Sequence, residues 1–531
     1  MRGRGAPILV GVVSLAALGW WASAWLSGRI HPSSRHRGGK FTATQYLYGL
    51  GPQTDPSVRY QPDVVIVGGG PASVRSVSSD GLIWTIRGDA PGIGEVQVGK
   101  VMFVTSRGVG RVLRREQVGR DVAVVLGPVD LTDVIRDGTI KIDEPIDLRD
   151  FAFVHTPDLP GTVRELPALV TSLRQDDAPV RYADARGSAL SLPPVRLVAM
   201  SRPVAEGPQQ SLPAPTFGTS LQIAVGRFLV EPSAQAQGMV VRIAYGPSAN
   251  WVLKRPPHRP DGSGWGNTKE GSGWSRGLEL GITLTLRWSD PKLQSSTVVK
   301  DGKVEVSDTR LDGLKQIDVD IDAGSKSGLA DNISQRLEIP VDLVLPVTGT
   351  PFVIALRQKF LVQTAFTAKN STLSAHGSYA ISGPLTSKTS GGNTSASSPT
   401  IQVRQSLLSS LRGVSVGVNG IVVGWSVRVV FGFGIPEAFV GPHVGLTLSS
   451  TVTRGSDLGI VLCRQASADA AVNTGLGFKL EPTFIDWLKN TFIRGKSSLN
   501  TKLDSDLIDA NQTIFHWEDT EPNVALCKNK S

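Results

Sequence analysis

The sequence predicts a mainly β protein, with an N-terminal hydrophobic helix or signal segment followed by β-sandwich-like or curved-sheet domains and few short helices. Three observations lead there. Glycine supplies 58 of 531 residues, and turn formers recur every 8 to 15 positions or about that. Several long stretches alternate apolar and polar residues with the two-residue period of a half-buried strand, whereas helical periodicity is scarce. A single uncharged, mostly apolar run, Ala6 to Leu26, stands at the N-terminus.

Arg2 and Arg4 precede that run, and Arg29, Arg35, Arg37 and Lys40 follow it. A basic start and about 20 apolar residues form the pattern that membrane-insertion machinery reads, which sets the body outside the cytoplasm. Ala22-Ser23-Ala24 offers a signal-peptidase site that would leave Trp25 as the new N-terminus. Apolarity continuing through Trp25 and Leu26, with Trp20 and Trp21 suited to the interface, fits a retained anchor instead. Both outcomes stay open. So does the inverted orientation, because more basic residues follow the run than precede it. A buried core helix is the remaining alternative, but residues 27–62 supply nothing for it to pack against. Residues 1–40 are therefore read as signal peptide or anchor, and polar 41–62 as a tether.

The net charge of +9 belongs mostly to this segment, since residues 1–40 hold six basic and no acidic residues, leaving 49 basic against 46 acidic beyond them. The body is near neutral. Nucleic acid is excluded as a partner, because counterion release requires a concentrated basic face. The richest local cluster, Arg107, Arg111, Arg114, Arg115 and Arg120, is followed by an acidic run from Asp130 to Asp150 and is expected to be solvated surface. Cys463 and Cys527 are expected to pair as a disulfide in an oxidising envelope compartment. Two cysteines alone make no zinc site, and no cofactor or metal is predicted.

Along the body, residues 63–204 read as one or more small β-rich domains, with strands near Asp63–Val67, Leu82–Ile86, Val101–Thr105 and Val122–Leu126. A short helix, Leu131–Arg136, is expected between Asp130 as N-cap and Gly138 as C-terminal glycine. A Pro-rich stretch from Arg202 to Phe217 precedes a β-rich domain at 217–385. There, Leu278, Leu280, Ile282, Leu284, Leu286 and Trp288 alternate with polar or small residues, and Asp301-Gly302 signals a hairpin turn. Residues 386–400 are Ser, Thr, Gly and Asn almost throughout and are expected to be a mobile loop or linker. Residues 401–531 read as a β meander, either separate from 217–385 or one domain with it. Val414, Val416 and Val418 lead to an Asn419-Gly420 turn, a long return strand follows from Ile421 to Ile435, and Val444, Leu446 and Leu448 begin a third strand. An amphipathic helix is expected at Thr483–Arg494, striped by Phe484, Trp487, Leu488 and Phe492.

Four motifs suggest chemistry. Val64 to Ser73, with three consecutive glycines, matches the opening of a dinucleotide-binding turn, but the β-type residues that follow predict strand-turn-strand rather than a helix holding pyrophosphate. Gly413-Val414-Ser415-Val416-Gly417 matches a nucleophile elbow, yet Ser415 lies in an alternating strand. Asp318, Asp320 and Asp322 share one strand face, where a solvated surface is expected, since Ala323 and Leu329 stand where a calcium loop needs glycine and glutamate. A miniature duplication, Gly262-Ser263-Gly264-Trp265 and Gly271-Ser272-Gly273-Trp274, puts two tryptophans on flexible loops able to stack on a sugar or a partner surface. Trp265 and Trp274 are thus the predicted binding residues. The expected function is non-catalytic binding or assembly by an exported or membrane-anchored envelope protein, with a membrane contact through residues 6–26 unless they are cleaved, and an envelope protein or glycan as partner. The alternatives are an exported hydrolase, with glycans as one substrate class, and an integral outer-membrane β component.

Overall fold

A computed structural model describes residues 41–52, 57–156, 163–165, 211–246, 277–339, 341–350, 352–397, 399–414, 417–436, 438–457, 461–477, 509–524 and 527. The chain divides into units 1–39 and 40–531, and every described residue belongs to the second. The expected signal or anchor segment, with its helix, lies outside the described residues. Among those described, no helix is long and apolar enough to cross a membrane. The fold is mainly β with few short helices, as expected, and the strands among the described residues form three sheets.

The stretch expected as a tether is instead packed, with Tyr46, Leu47 and Tyr48 of α1 (Ala43–Tyr48) buried in the core. The first sheet follows α1, which a capping box opens: Gln45 N–H donates to the Thr42 hydroxyl at 3.3 Å and Thr42 N–H to the Gln45 side chain at 2.8 Å. After β1 (Arg59–Tyr60) come β2 (Val64–Ile66), β3 (Val74–Val77), β4 (Ile83–Ile86), β5 (Val101–Thr105), β6 (Gly108–Val118) and β7 (Asp121–Gly127), ordered β2-β5-β6-β7-β4-β3. Only β2 and β5 run parallel. The triple-glycine motif is a 3-10 turn, Gly70–Ser73, between β2 and β3, and so carries no pyrophosphate-binding helix. The short helix α2 (Leu131–Val134) ends two residues earlier than the sequence suggests. Its chain runs straight into β8 (Ile135–Pro145), and Gly138 sits inside that strand opposite Val299 instead of ending a helix.

The second sheet has 12 strands. It contains β1, β8, β11 (Ile223–Val225), β12 (Phe228–Gln235), β13 (Gly238–Tyr245), β14 (Leu278–Lys300), β15 (Lys303–Ser325), β19 (Ser371–Ser382), β20 (Leu385–Ser390), β21 (Asn393–Ser397), β22 (Thr400–Gln405) and β23 (Arg412–Val414). The third has 10: β9 (Ala152–His155), β10 (Val163–Glu165), β16 (Ser334–Glu338), β17 (Val341–Pro346), β18 (Val353–Phe366), β24 (Asn419–Ile435), β25 (Ala438–Val440), β26 (His443–Asp457), β27 (Val461–Gly475) and β28 (Asp509–Glu521). These two sheets face each other as layers, with β15, β19, β20 and β21 lying over β24, β26, β27 and β28. Strands from 217–385 and from 401–531 enter both layers, so the two stretches build one sandwich. Strands β8 to β10 leave the N-terminal region to join these layers.

The alternation of β14 is borne out. Leu278, Leu280, Ile282, Leu284 and Leu286 are buried against Ile317, Val319 and Ile321 of β15, and each such side chain contributes about 1.5 to 3 kcal/mol by leaving water. The Asp301-Gly302 turn is also present, with φ of 47° and 68°. The sequence does not show that the hairpin bends midway. The register slips between Trp288 and Lys292, where Asp290 has φ 48° and Gly313 on the partner strand φ 99°. Below the bend β14 pairs with β13 and β15 with β19. Above it the neighbours become β8 and β20.

Two further expectations are corrected. Residues 386–397, expected as loop or linker, fold as the β20–β21 hairpin. Apart from Leu385 it buries little apolar surface: Thr389 and Thr394 pair across it at 2.8 Å, the adjoining β14–β15 strands pair Ser295 with Thr309 and Thr297 with Ser307 at the same distance, and the facing β27 presents the buried Ala466, Ala468 and Ala470. Asn419-Gly420 turns no hairpin. β23 pairs with β19 in the second sheet while β24 begins at Asn419 in the third, so the chain crosses between layers there.

The first sheet docks on the upper end of β24 through aromatic rings. Phe103 lies 5.8 Å from Phe433, which meets Phe352 at 5.1 Å, and Gly434 N–H donates to Ser106 C=O at 3.0 Å.

The bend yields a stability prediction. A Cβ on Gly313 would come within 2.7 Å of Ser289 O and 2.8 Å of Pro291 Cα, so Gly313→Ala should cost about 1 to 3 kcal/mol in urea unfolding. Gly226, also at positive φ (58°) but with open space around it, provides the control, where alanine should cost about 1 kcal/mol or less. Equal losses would show that crowding at the bend contributes nothing.

Candidate functional site

Strand alternation turns Ile317, Val319 and Ile321 inward and Asp318, Asp320 and Asp322 to the opposite face. That face was expected to be solvated, yet Asp318 and Asp320 are only 5% and 7% exposed. Neighbouring strands reach over them. Arg287 Nε on β14 donates to Asp318 Oδ2 at 2.8 Å, while Ser378 Oγ on β19 and Gln316 Nε2 donate to Asp318 Oδ1 at 2.8 and 2.7 Å. Asp320 stands directly opposite His376, whose Nδ1 lies 2.5 Å from its Oδ1. The hydrogen bond from Asp320 raises the His376 pKa above its ordinary value, burial opposes the shift, and the charges of Asp320 and Asp318 add to it.

His376 is held from behind as well. Its backbone N–H donates to Ser410 Oγ, and that hydroxyl donates to His376 C=O, both at 2.7 Å, which docks the short helix α3 (Leu407–Ser410) onto β19. The arrangement contains carboxylate, imidazole and hydroxyl, but the Ser378 hydroxyl is spent on Asp318 rather than on His376. A nucleophilic relay needs serine and base bonded to each other. What these groups do is join β14, β15, β19 and α3 by charge-assisted hydrogen bonds. Among the described residues no group of three or more His, Cys, Asp or Glu side chains could hold a metal ion.

A second cluster was missed by sequence reasoning. Arg107, expected in a solvated basic run, is fully buried in the turn between β5 and β6. The turn closes against α1, where Arg107 Nη1 donates to Tyr46 C=O at 3.3 Å, and against β25, where the guanidinium lies 5.7 Å from the Phe439 ring centre. Arg357 of β18 approaches the same ring at 5.1 Å and bonds Asp342 at 3.0 Å. The apolar strands on either side, Val101–Val104 and Val109, are the one signal that this arginine is enclosed. Arg111 behaves as an ordinary paired side chain, donating to Asp63 at 3.1 Å and Gly99 C=O at 2.8 Å.

Cys463 and Cys527 form the expected disulfide, 64 residues apart in sequence with Cα atoms 5.3 Å apart. It ties the chain just after the Glu521 end of β28, the last strand in the order of the third sheet, to the start of β27. On that strand Phe515 meets Tyr379 across the layers at 6.0 Å, and His516 Nδ1 lies 2.6 Å from Asp469. A small apolar cavity beside them is lined by Ile317, Val319, Tyr379, Leu448, Ala468 and Phe515. Burial pushes the Tyr379 hydroxyl well above its ordinary pKa. Trp265, Trp274, Ser415 and the helix expected at Thr483–Arg494 lie outside the described residues.

Residues 44–137 match the family described as domain of unknown function DUF8403, and residues 273–502 match domain of unknown function DUF8402. The first match spans α1 to the start of β8. The second takes in Trp274 and Cys463 but stops short of β28 and Cys527. No curated protein and no solved structure matches the chain.

Two measurements check these interactions. Since the folded pKa of His376 is raised above the unfolded value near 6.5, its stabilising contribution is complete below that value and lost as pH rises through the folded one. Between about pH 5.5 and pH 8.5 the urea midpoint of the native protein should therefore fall relative to His376→Gln, and parallel profiles would refute the pairing. Replacing both cysteines by alanine should lower stability by about 4 kcal/mol in urea titrations under oxidising conditions, given the 64-residue separation. A loss below about 1 kcal/mol would mean that the cross-link closes no loop that the unfolded chain would otherwise explore.

Proposed function

We propose that the protein is an exported or membrane-anchored envelope protein with a non-catalytic binding or assembly role. The observation that carries the reading is the Cys463–Cys527 disulfide, which secures β28 to its neighbour. Such cross-links persist in oxidising compartments and are rare where thiols are kept reduced, in keeping with the basic-apolar-basic start of the chain. The binding or assembly role draws on the way the charged groups are used. Asp318 with Arg287, Asp320 with His376, and Asp342 with Arg357 are committed to joining strands, a use of charge that builds a rigid scaffold rather than reactive groups. Asp318 and Asp320 share one strand face as a glycosidase's carboxyl pair shares a cleft, but strand neighbours hold each of them.

Cell fractionation, with N-terminal sequencing and thiol trapping of the mature protein, tests the proposal. Export with cleavage yields a mature chain starting at Trp25, and a retained anchor yields an intact N-terminus in the membrane fraction. Either should come with no alkylatable thiol until the protein is reduced. A cytoplasmic body with two free thiols would overturn the reading.

A further inference from the structure

The end of β26 and β27 where Asp457 pairs with Val461 holds an unusual pair. Their register sets Arg454 directly opposite Arg464, and strand alternation puts both on the inward face, one step beyond the buried Val452 and Ala466. Like charges directly opposite in an antiparallel pair are destabilising. Arg464 is provided for: Nη1 donates to Leu411 C=O at 3.4 Å, and Nη2 pairs with the Glu521 carboxylate. Arg454 is not. Its Nε and Nη1 are buried with no acceptor among the described residues, and its neighbour on the other side is the uncharged Asn419 of β24.

Burial first, and then the charge of Arg464, lower the pKa of Arg454. A guanidinium nonetheless stays protonated at physiological pH, so this end of the sandwich carries a half-buried cation, its Nε and Nη1 withdrawn from water, that faces a second cation. A buried charge is costly unless it is paired and hydrogen-bonded. The missing component is an anion. Nε and Nη1 each form a planar fork with Nη2, and either fork matches two oxygens of a carboxylate or phosphate group.

We propose that Arg454, reinforced by the charge of Arg464, is a binding site for an oxyanion, either a carboxylate or a phosphate group, at the end of the sandwich where β26 and β27 meet. The site takes its residues from β26 and β27 and is independent of the compartment assigned to the protein. Glu521, by neutralising Arg464, limits the site to a single uncompensated positive charge, which suits one anionic group rather than a polyanion.

Equilibrium dialysis of the full-length protein against labelled inorganic phosphate, in a chloride background, is the test. Saturable binding of a single phosphate per chain is expected, weakened at least about tenfold in Arg454→Gln. Displacement by acetate would show that carboxylates share the site. Displacement by sulfate but not by acetate would restrict it to tetrahedral oxyanions. If Arg454→Gln does not fold, Arg454→Lys is read in its place: it keeps the charge, loses the fork, and should bind more weakly with an unchanged circular dichroism spectrum. Absence of saturable binding to the native protein, or affinity unchanged in the folded variant, would overturn the proposal.

Discussion

The bend in the β14–β15 hairpin is the constraint on which the rest of the sandwich depends. A pair of 23-residue strands would accumulate twist along its length, and flat neighbours could not follow both ends. The slip at Ser289–Pro291, made possible by Gly313 at positive φ, re-aims the upper half. Each strand then changes partners at the bend, β13 giving way to β8 and β19 to β20. The N-terminal region is thereby drawn into the second sheet through β8, and the hydroxyl-rich β20–β21 hairpin finds a template. A bulge of this kind kinks a strand and increases its local twist.

The two halves of the hairpin bury different chemistry. Below the bend the inward face is Leu, Ile and Val. Above it, between the buried Leu293 and Leu311 at the bend and Val299 near the tip, Ser295, Thr297, Ser307 and Thr309 are all at most 4% exposed. Hydroxyls are satisfied in cross-strand pairs there, and the alanines of β27 let the layers approach over them. This division explains why composition misled: a Ser/Thr-rich stretch cannot support a fold through apolar burial, but it can line a layer whose polar groups satisfy one another.

Local patterns were legible in the sequence and long-range partners were not. The alternation from Leu278 to Trp288 and the Asp301-Gly302 turn were readable because each depends on residues a few positions apart. The Cys463–Cys527 bond was readable for a different reason, there being only two cysteines to pair. Asn419-Gly420 misled because the same dipeptide that favours a hairpin turn also suits a crossing between layers. Asp318 and Asp320 looked solvated because their covers, Arg287, His376 and Ser378, lie 31 to 60 residues away. Arg107 and the Arg454–Arg464 pair were hidden likewise, since enclosure and cross-strand register belong to the folded arrangement.

The Cys463–Cys527 bond also determines how the molecule would bear a pull. Tension applied to the residues after Cys527 passes through the covalent link into the start of β27, a strand paired on both sides. It therefore bypasses β28, which would otherwise peel away one hydrogen bond at a time from its free end. Reduction would reopen that route, so the redox state of a single bond decides whether this edge of the sandwich carries load or is spared it.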